Sequence, residues 1–164
     1  MLTGQVAQKI LDISERLGIN HDDLISLIQF ESGFDPMIKN PYSSARGLIQ
    51  FTDSTARNLG FENSYHLVTS HPTVESQLQI VEEYLSRFYP FRDKQDLYMS
   101  VFYPKYRKSD PNTVFPDSVR AVNPGINTVQ DYVDLVERKK KLNYFVILGV
   151  VAALFIIYKL SIGR

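Results

Sequence analysis

Glu31 stands where an amphipathic helical pattern stops: Leu24, Ile25, Leu27, Ile28 and Phe30 precede it, and Gly33 and Pro36 follow. A carboxylate in the last turn of a helix faces the negative end of the macrodipole, which disfavours the ionised form by roughly 0.3–1 kcal/mol. Selection for stability would not favour a glutamate there. The same placement, beside Phe30, Phe34 and Leu48, raises a carboxyl pKa toward the range where the group holds a proton near neutrality and can donate it. A solvated helix-end glutamate is the plain alternative, and spacing alone favours it. What turns the reading toward chemistry is the surrounding motif. Glu31-Ser32-Gly33-Phe34-Asp35-Pro36 is followed by Gly47-Leu48-Ile49-Gln50-Phe51 and then Thr55-Ala56, so a polar loop and a second short helix are available to wall the carboxylate.

A two-carboxylate mechanism would need a second acid, and Asp35, Asp53 and Glu62 are the candidates. Asp53 falls in the first turn of a helix, where it stabilises the N-terminus. Metal chemistry is not indicated. There is no cysteine, and His21, His66 and His71 lack the spacing of helical ligands such as HExxH. Neither a metal nor a cofactor is therefore expected. With 18 basic and 18 acidic residues the formal net charge is zero, so no global field draws the chain to nucleic acid.

The elements that must hold Glu31 are helical. Val6, Ile10, Ile13 and Leu17 form one apolar stripe with charged residues between them, and Gly18 stops that helix. Asn20 caps the helix that ends at Glu31. Residues 34–46 read as an ordered loop, 47–51 as a short helix, and Asp53 to Leu59 as another, capped by Thr52 and closed by Gly60. Thr73 to Phe88 and Lys94 to Phe102 carry core helices. The four prolines between Pro104 and Gly125 make that segment mostly loop. Thr128 caps a last helical pattern through Val136. No period-2 strand exceeds four residues, so the fold class is all-α with at most a vestigial hairpin.

The ends of the chain differ in kind. The first 20 residues lack the uninterrupted apolar run of a cleaved secretory signal. From Leu142 to Tyr158 only Asn143 is strongly polar, and 17 residues in a helix span about 25 Å, the short limit for a bilayer. Tyr144 and Tyr158 bracket the run, with Arg138 to Lys141 before it and Lys159 and Arg164 after it. The expected organisation is a domain over 1–137, then a basic juxtamembrane segment and a transmembrane helix over 138–164.

The motifs resemble those of the lytic transglycosylases of the soluble-lytic type, lysozyme-like enzymes that cleave peptidoglycan. The family's E-S-x-[FW]-[ND]-P is Glu31 to Pro36, its S-P is altered to Asn40-Pro41, its G-L-M-Q is Gly47 to Gln50, and its T-A is Thr55-Ala56. Its A-Y-N-A-G survives in part as Val101-Phe102-Tyr103-Pro104, where the family tyrosine corresponds to Phe102 or Tyr103. A late tyrosine before a hydrophobic helix matches as Tyr132-Val133, and the pattern around Phe102 and Asn123-Pro124-Gly125 is similar to a divergent bacteriophage branch.

The resemblance implies the lysozyme-like α+β superfamily fold, here with little or no sheet. It implies Glu31 as sole acid and base, giving 1,6-anhydromuramoyl ends at the MurNAc-GlcNAc bond without water. Ser32 and Asn40 would orient Glu31 or bind N-acetyl groups, Gln50 would bond a sugar, and Phe51, Tyr103 and Tyr132 would face the groove. Ile49 and Asn40 depart from the family pattern and alter groove shape and the hold on Glu31.

Peptidoglycan glycan strands are the expected partner, together with lipid. The basic cluster before the apolar run keeps the domain cytoplasmic by the positive-inside rule, where no substrate lies. Carriage in a virion membrane or penetration device, among other virion proteins, removes that conflict; anchorage in the bacterial cytoplasmic membrane is the alternative location. A goose-type lysozyme-like hydrolase and a non-catalytic glycan-binding virion protein are the rival functions.

Overall fold

The computed structural model of the protein describes residues 3–139. Its elements in chain order are α1 (Gly4–Leu17), α2 (His21–Glu31), α3 (Asp53–Asn58), α4 (Ser64–Ser70), α5 (Val74–Ser86), α6 (Lys94–Phe102), a 3-10 turn (Pro104–Tyr106) and α7 (Asp117–Arg120). A further helix, α8, covers 129–139.

Local chemistry accounts for most of these boundaries. Thr3, Asn20, Thr52, Asn63, Thr73 and Asp93 each cap a helix by accepting a backbone N–H in its first turn. Thr128 does the same for α8, taking the N–H of Asp131 at 3.2 Å. Gly18 ends α1 in the left-handed conformation, φ 63°, returning its N–H to Glu15 and Ser14.

The apolar stripe of α1, Val6, Ile10, Ile13 and Leu17, is buried and packs chiefly on α5 and then on α2. Leu24, Leu27 and Ile28 of α2, Leu78, Val81 and Leu85 of α5, Leu97, Tyr98 and Met99 of α6, and Val129, Tyr132 and Val136 of α8 complete one contiguous core. The helix carrying Glu31 is thus buried on several sides and has little freedom to tilt.

Among the described residues there is no sheet, only isolated antiparallel bridges: Lys39 with Arg46, Arg46 with Phe51, and Val114 with Thr128. The expected helix over 47–51 is instead a tight turn. Arg46 and Phe51 exchange both backbone hydrogen bonds, at 3.0 and 2.8 Å, and the turn needs positive φ at Gly47 (73°) and Gln50 (54°), which no helix tolerates. The turn is held from outside. Gln77 of α5, fully buried, accepts the N–H of Leu48 at 3.0 Å and donates to the carbonyls of Pro36 at 2.6 Å and His71 at 2.9 Å. A Cβ on Gly47 would lie 2.4 Å from the Gln77 Oε1.

The short helix α4 was not predicted, because only Leu67 and Val68 supply its apolar contacts. The expected transmembrane run 142–158 lies outside the described residues. Among the described residues no helix is long and apolar enough to cross a membrane.

Candidate active site

Glu31 is the last residue of α2, and the chain turns away immediately after it. The Ser32 hydroxyl donates to the Ile28 carbonyl at 3.1 Å and accepts the N–H of Phe34 at 3.2 Å. Gly33 and Phe34 both adopt positive φ, 63° and 67°. For Phe34 this is a sparsely populated conformation of the kind that collects at functional sites. Ser32 is therefore spent on the turn that ends the helix, and its hydroxyl supports the backbone that carries Glu31.

The carboxylate meets the opposite end of the chain. Tyr132 of α8 donates its hydroxyl to Glu31 Oε1 at 2.5 Å. Its ring is 1% exposed, stacked on Phe102 at 4.2 Å between centroids and 14° between planes, and it meets Phe30 edge-on at 5.6 Å. Tyr132 was expected to offer a ring face to a sugar. Its burial leaves no ring face open to a sugar, and it is the hydroxyl that meets Glu31. Lys139, two turns further along α8, donates to the Phe30 carbonyl at 3.2 Å and sits 4.9 Å over the Phe30 ring.

Burial lifts the Glu31 carboxyl from 4.5 to about 7, against the opposing pull of the Tyr132 hydrogen bond and the Lys139 charge. Near neutral pH both protonation forms are therefore well populated. That is the condition for one group to give a proton and later take one. Burial, then the nearby Glu31, pushes the Tyr132 hydroxyl well above its ordinary range, so it stays a hydrogen-bond donor.

The other acids have different employment. Asp35 accepts the N–H of Met37 at 2.8 Å in a local turn. Asp53 accepts the Ser64 N–H at 2.9 Å and hydroxyl at 2.7 Å, and these bonds hold it below the usual carboxylate range. Glu62 is exposed.

Asn40 and Gln50 lie on the second loop, where their polar atoms serve the loop's own shape. Asn40 Oδ1 accepts the Tyr42 N–H at 2.9 Å, and Gln50 donates to the Gly47 carbonyl at 3.1 Å. Phe51 was expected on the groove wall. It is 1% exposed and edge-on to Tyr84 at 6.3 Å, so it is a core residue. Tyr103 is half-buried and leans on Tyr106 at 5.0 Å. Between Phe102 and Tyr103, Phe102 is the one stacked on the Glu31 partner.

Two residues that matter to this arrangement were not among the predicted site residues. Gln77 fixes the second loop, and nothing local in the sequence marks it. Lys139 was read as one of a basic run, yet its position seven residues after Tyr132 puts both on one helix face, a signal that could have found it.

No curated protein matches the chain. A family model does: the transglycosylase SLT domain matches residues 9–145, and this range holds the Glu31 turn, the second loop and α8 together. The chain accordingly belongs to the SLT transglycosylase family and is a peptidoglycan lytic transglycosylase, a lyase that cleaves the glycan.

Proposed function

We propose that Glu31 is the single acid and base of the reaction. The observation that carries this is the desolvated Glu31 carboxyl, held near 7 and hydrogen-bonded by Tyr132. Protonated Glu31 gives its proton to the glycosidic oxygen between MurNAc and GlcNAc as the C1–O bond breaks. The substrate's own N-acetyl carbonyl oxygen supports C1 during departure. The 6-hydroxyl then closes on C1 and its proton returns to Glu31, leaving a 1,6-anhydromuramoyl end and a regenerated acid with no water consumed. Tyr132 stabilises the ionised form between the two transfers. Asn40, Gln50 and Tyr103 are the remaining candidates for sugar contacts, and Ser32 contributes through the turn.

The setting we infer is a bacteriophage particle that uses the enzyme to open the wall locally during entry. The support is in the sequence: an apolar run over 142–158, preceded by the basic cluster Arg138 to Lys141. A membrane helix with that charge bias leaves the domain on the side away from peptidoglycan, and delivery from outside removes the mismatch.

The test is mass spectrometry of muropeptides released from purified peptidoglycan by the full-length protein and by Glu31→Gln. Anhydro ends that vanish in the variant are expected. Reducing ends would mean hydrolysis of the goose-lysozyme kind, and binding without release would mean a glycan grip. For the setting, the protein is expected to co-purify with phage particles and lipid; recovery only from the cytosol of infected cells refutes it.

A further inference from the structure

The C-terminal carbonyls of a helix lack intrahelical partners and must find others. At the end of α2 the Ile28 carbonyl takes the Ser32 N–H at 3.0 Å and the Gln29 carbonyl takes the Gly33 N–H at 3.1 Å. The Phe30 carbonyl is next in line. The N–H that would close it, that of Phe34, is committed to the Ser32 hydroxyl. Lys139 fills the gap, donating to the Phe30 carbonyl at 3.2 Å across 109 residues of sequence.

We propose that Lys139 is a positioning residue of the transglycosylase reaction, acting through Phe30 on the helix end that carries Glu31. This rests on the reading of Glu31 as the acid and base.

Two contacts make the attachment more than a surface tether. Lys139 holds Phe30 by its carbonyl and by its ring, with the ammonium 4.9 Å from the ring centroid. Phe30 in turn meets the Tyr132 ring edge-on, and Tyr132 returns to the same helix as Lys139. The closed circuit of α8, Lys139, Phe30 and Tyr132 fixes where the Tyr132 hydroxyl stands against Glu31. The Lys139 charge also lies at the negative end of α2, where a cation favours an ionised neighbour. The titratable groups acting on Glu31 are Tyr132 and Lys139, both from α8. Tyr98 of α6 acts on Tyr132 and is itself bonded to Glu137 at 2.7 Å and Asp23 at 3.4 Å.

The test compares Lys139→Met, which keeps the apolar stem, with Lys139→Arg, which keeps the charge. Initial rates of anhydro-muropeptide release by the full-length protein are measured from pH 5 to 9, at low and at high salt. The pH limb belonging to Glu31 is expected to move up by about half a unit in Lys139→Met and to stay in place in Lys139→Arg. On soluble glycan strands kcat is expected to fall in Lys139→Met with KM unchanged. High salt is expected to carry the wild-type limb toward that of Lys139→Met, because the ammonium is exposed to screening. A Lys139→Met profile that superimposes on wild type overturns the proposal, as does an equal shift in both variants. If Lys139→Met does not fold, the salt dependence of the wild type and the Lys139→Arg profile decide. An active Glu31→Gln variant would instead overturn the reading of Glu31, so the two failures are distinguishable.

Discussion

Replacing Glu31 with glutamine removes an ionisation that the folded protein resists. In the unfolded chain the carboxyl titrates near 4.5, and in the folded protein near 7. Between those values the folded state holds a proton that the unfolded state has lost, so wild-type stability falls as pH rises through the window. The loss is complete above pH 7. A displacement from 4.5 to about 7, at 1.36 kcal/mol per unit, corresponds to about 3 kcal/mol. Glutamine cannot ionise and escapes this loss. The variant should therefore match wild type near pH 4, apart from a constant offset for its altered bond to Tyr132, and gain on it steadily up to pH 7. Urea unfolding at one-unit steps from pH 4 to 8 measures the difference. At an m-value of about 2 kcal/mol/M the midpoints should separate by roughly 1.5 M across the window. Other titrating groups are common to both proteins and cancel in the difference. A difference curve that is flat from pH 4 to 8, or that slopes the other way, refutes the claim that Glu31 is held protonated by burial.

Tyr132→Phe keeps the ring and its stacking but deletes a hydrogen bond to a charged acceptor, of the class that contributes about 1.5–3 kcal/mol. The Glu31 limb of the pH–rate profile should rise by about one to two units, which leaves more of the acid protonated at pH 7, while the lost stabilisation of the ionised form between the two transfers lowers kcat roughly 10- to 100-fold; an unmoved limb contradicts the role given to the hydroxyl. Phe51→Ala should cost about 3–5 kcal/mol in unfolding experiments with little change in KM for soluble glycan strands, whereas a groove wall would show the opposite pattern. Gln77→Leu strands three backbone groups that it now satisfies and should destabilise by about 2–4 kcal/mol, with the Leu48 amide losing hydrogen-exchange protection.

Helix starts were legible because their chemistry is local. Asn20, Thr52, Thr73 and Thr128 each reach a backbone N–H within three residues, and sequence spacing sees that range. The stretch Gly47 to Phe51 was misread for the converse reason. Its apolar run suits a buried helix as well as a turn pressed into the core, and the turn is decided by Gln77, 29 residues away from Leu48. The same limit applies to Phe51, whose partner Tyr84 lies on α5. At the site, Glu31 was singled out by the motif around it, because its helix end alone favours a solvated glutamate. The cause of its perturbation was only partly legible: the helix dipole and the apolar neighbours Phe30, Phe34 and Leu48 were visible, while the cover brought by Tyr132 across 101 residues was not. That burial is assembled from α2 and α8, and no window of sequence contains both.

The distance between the two halves of the site has a consequence in time. Glu31 is made 101 residues before Tyr132, and at about 5–20 residues per second that interval lasts roughly 5–20 s of synthesis. Throughout it Glu31 has neither the cover of α8 nor its hydroxyl donor Tyr132. A chain lacking 129–139 holds the whole Glu31 motif in sequence and none of the α8 side chains that meet it. Competence to cut a wall arrives in one step, with the docking of the last described helix.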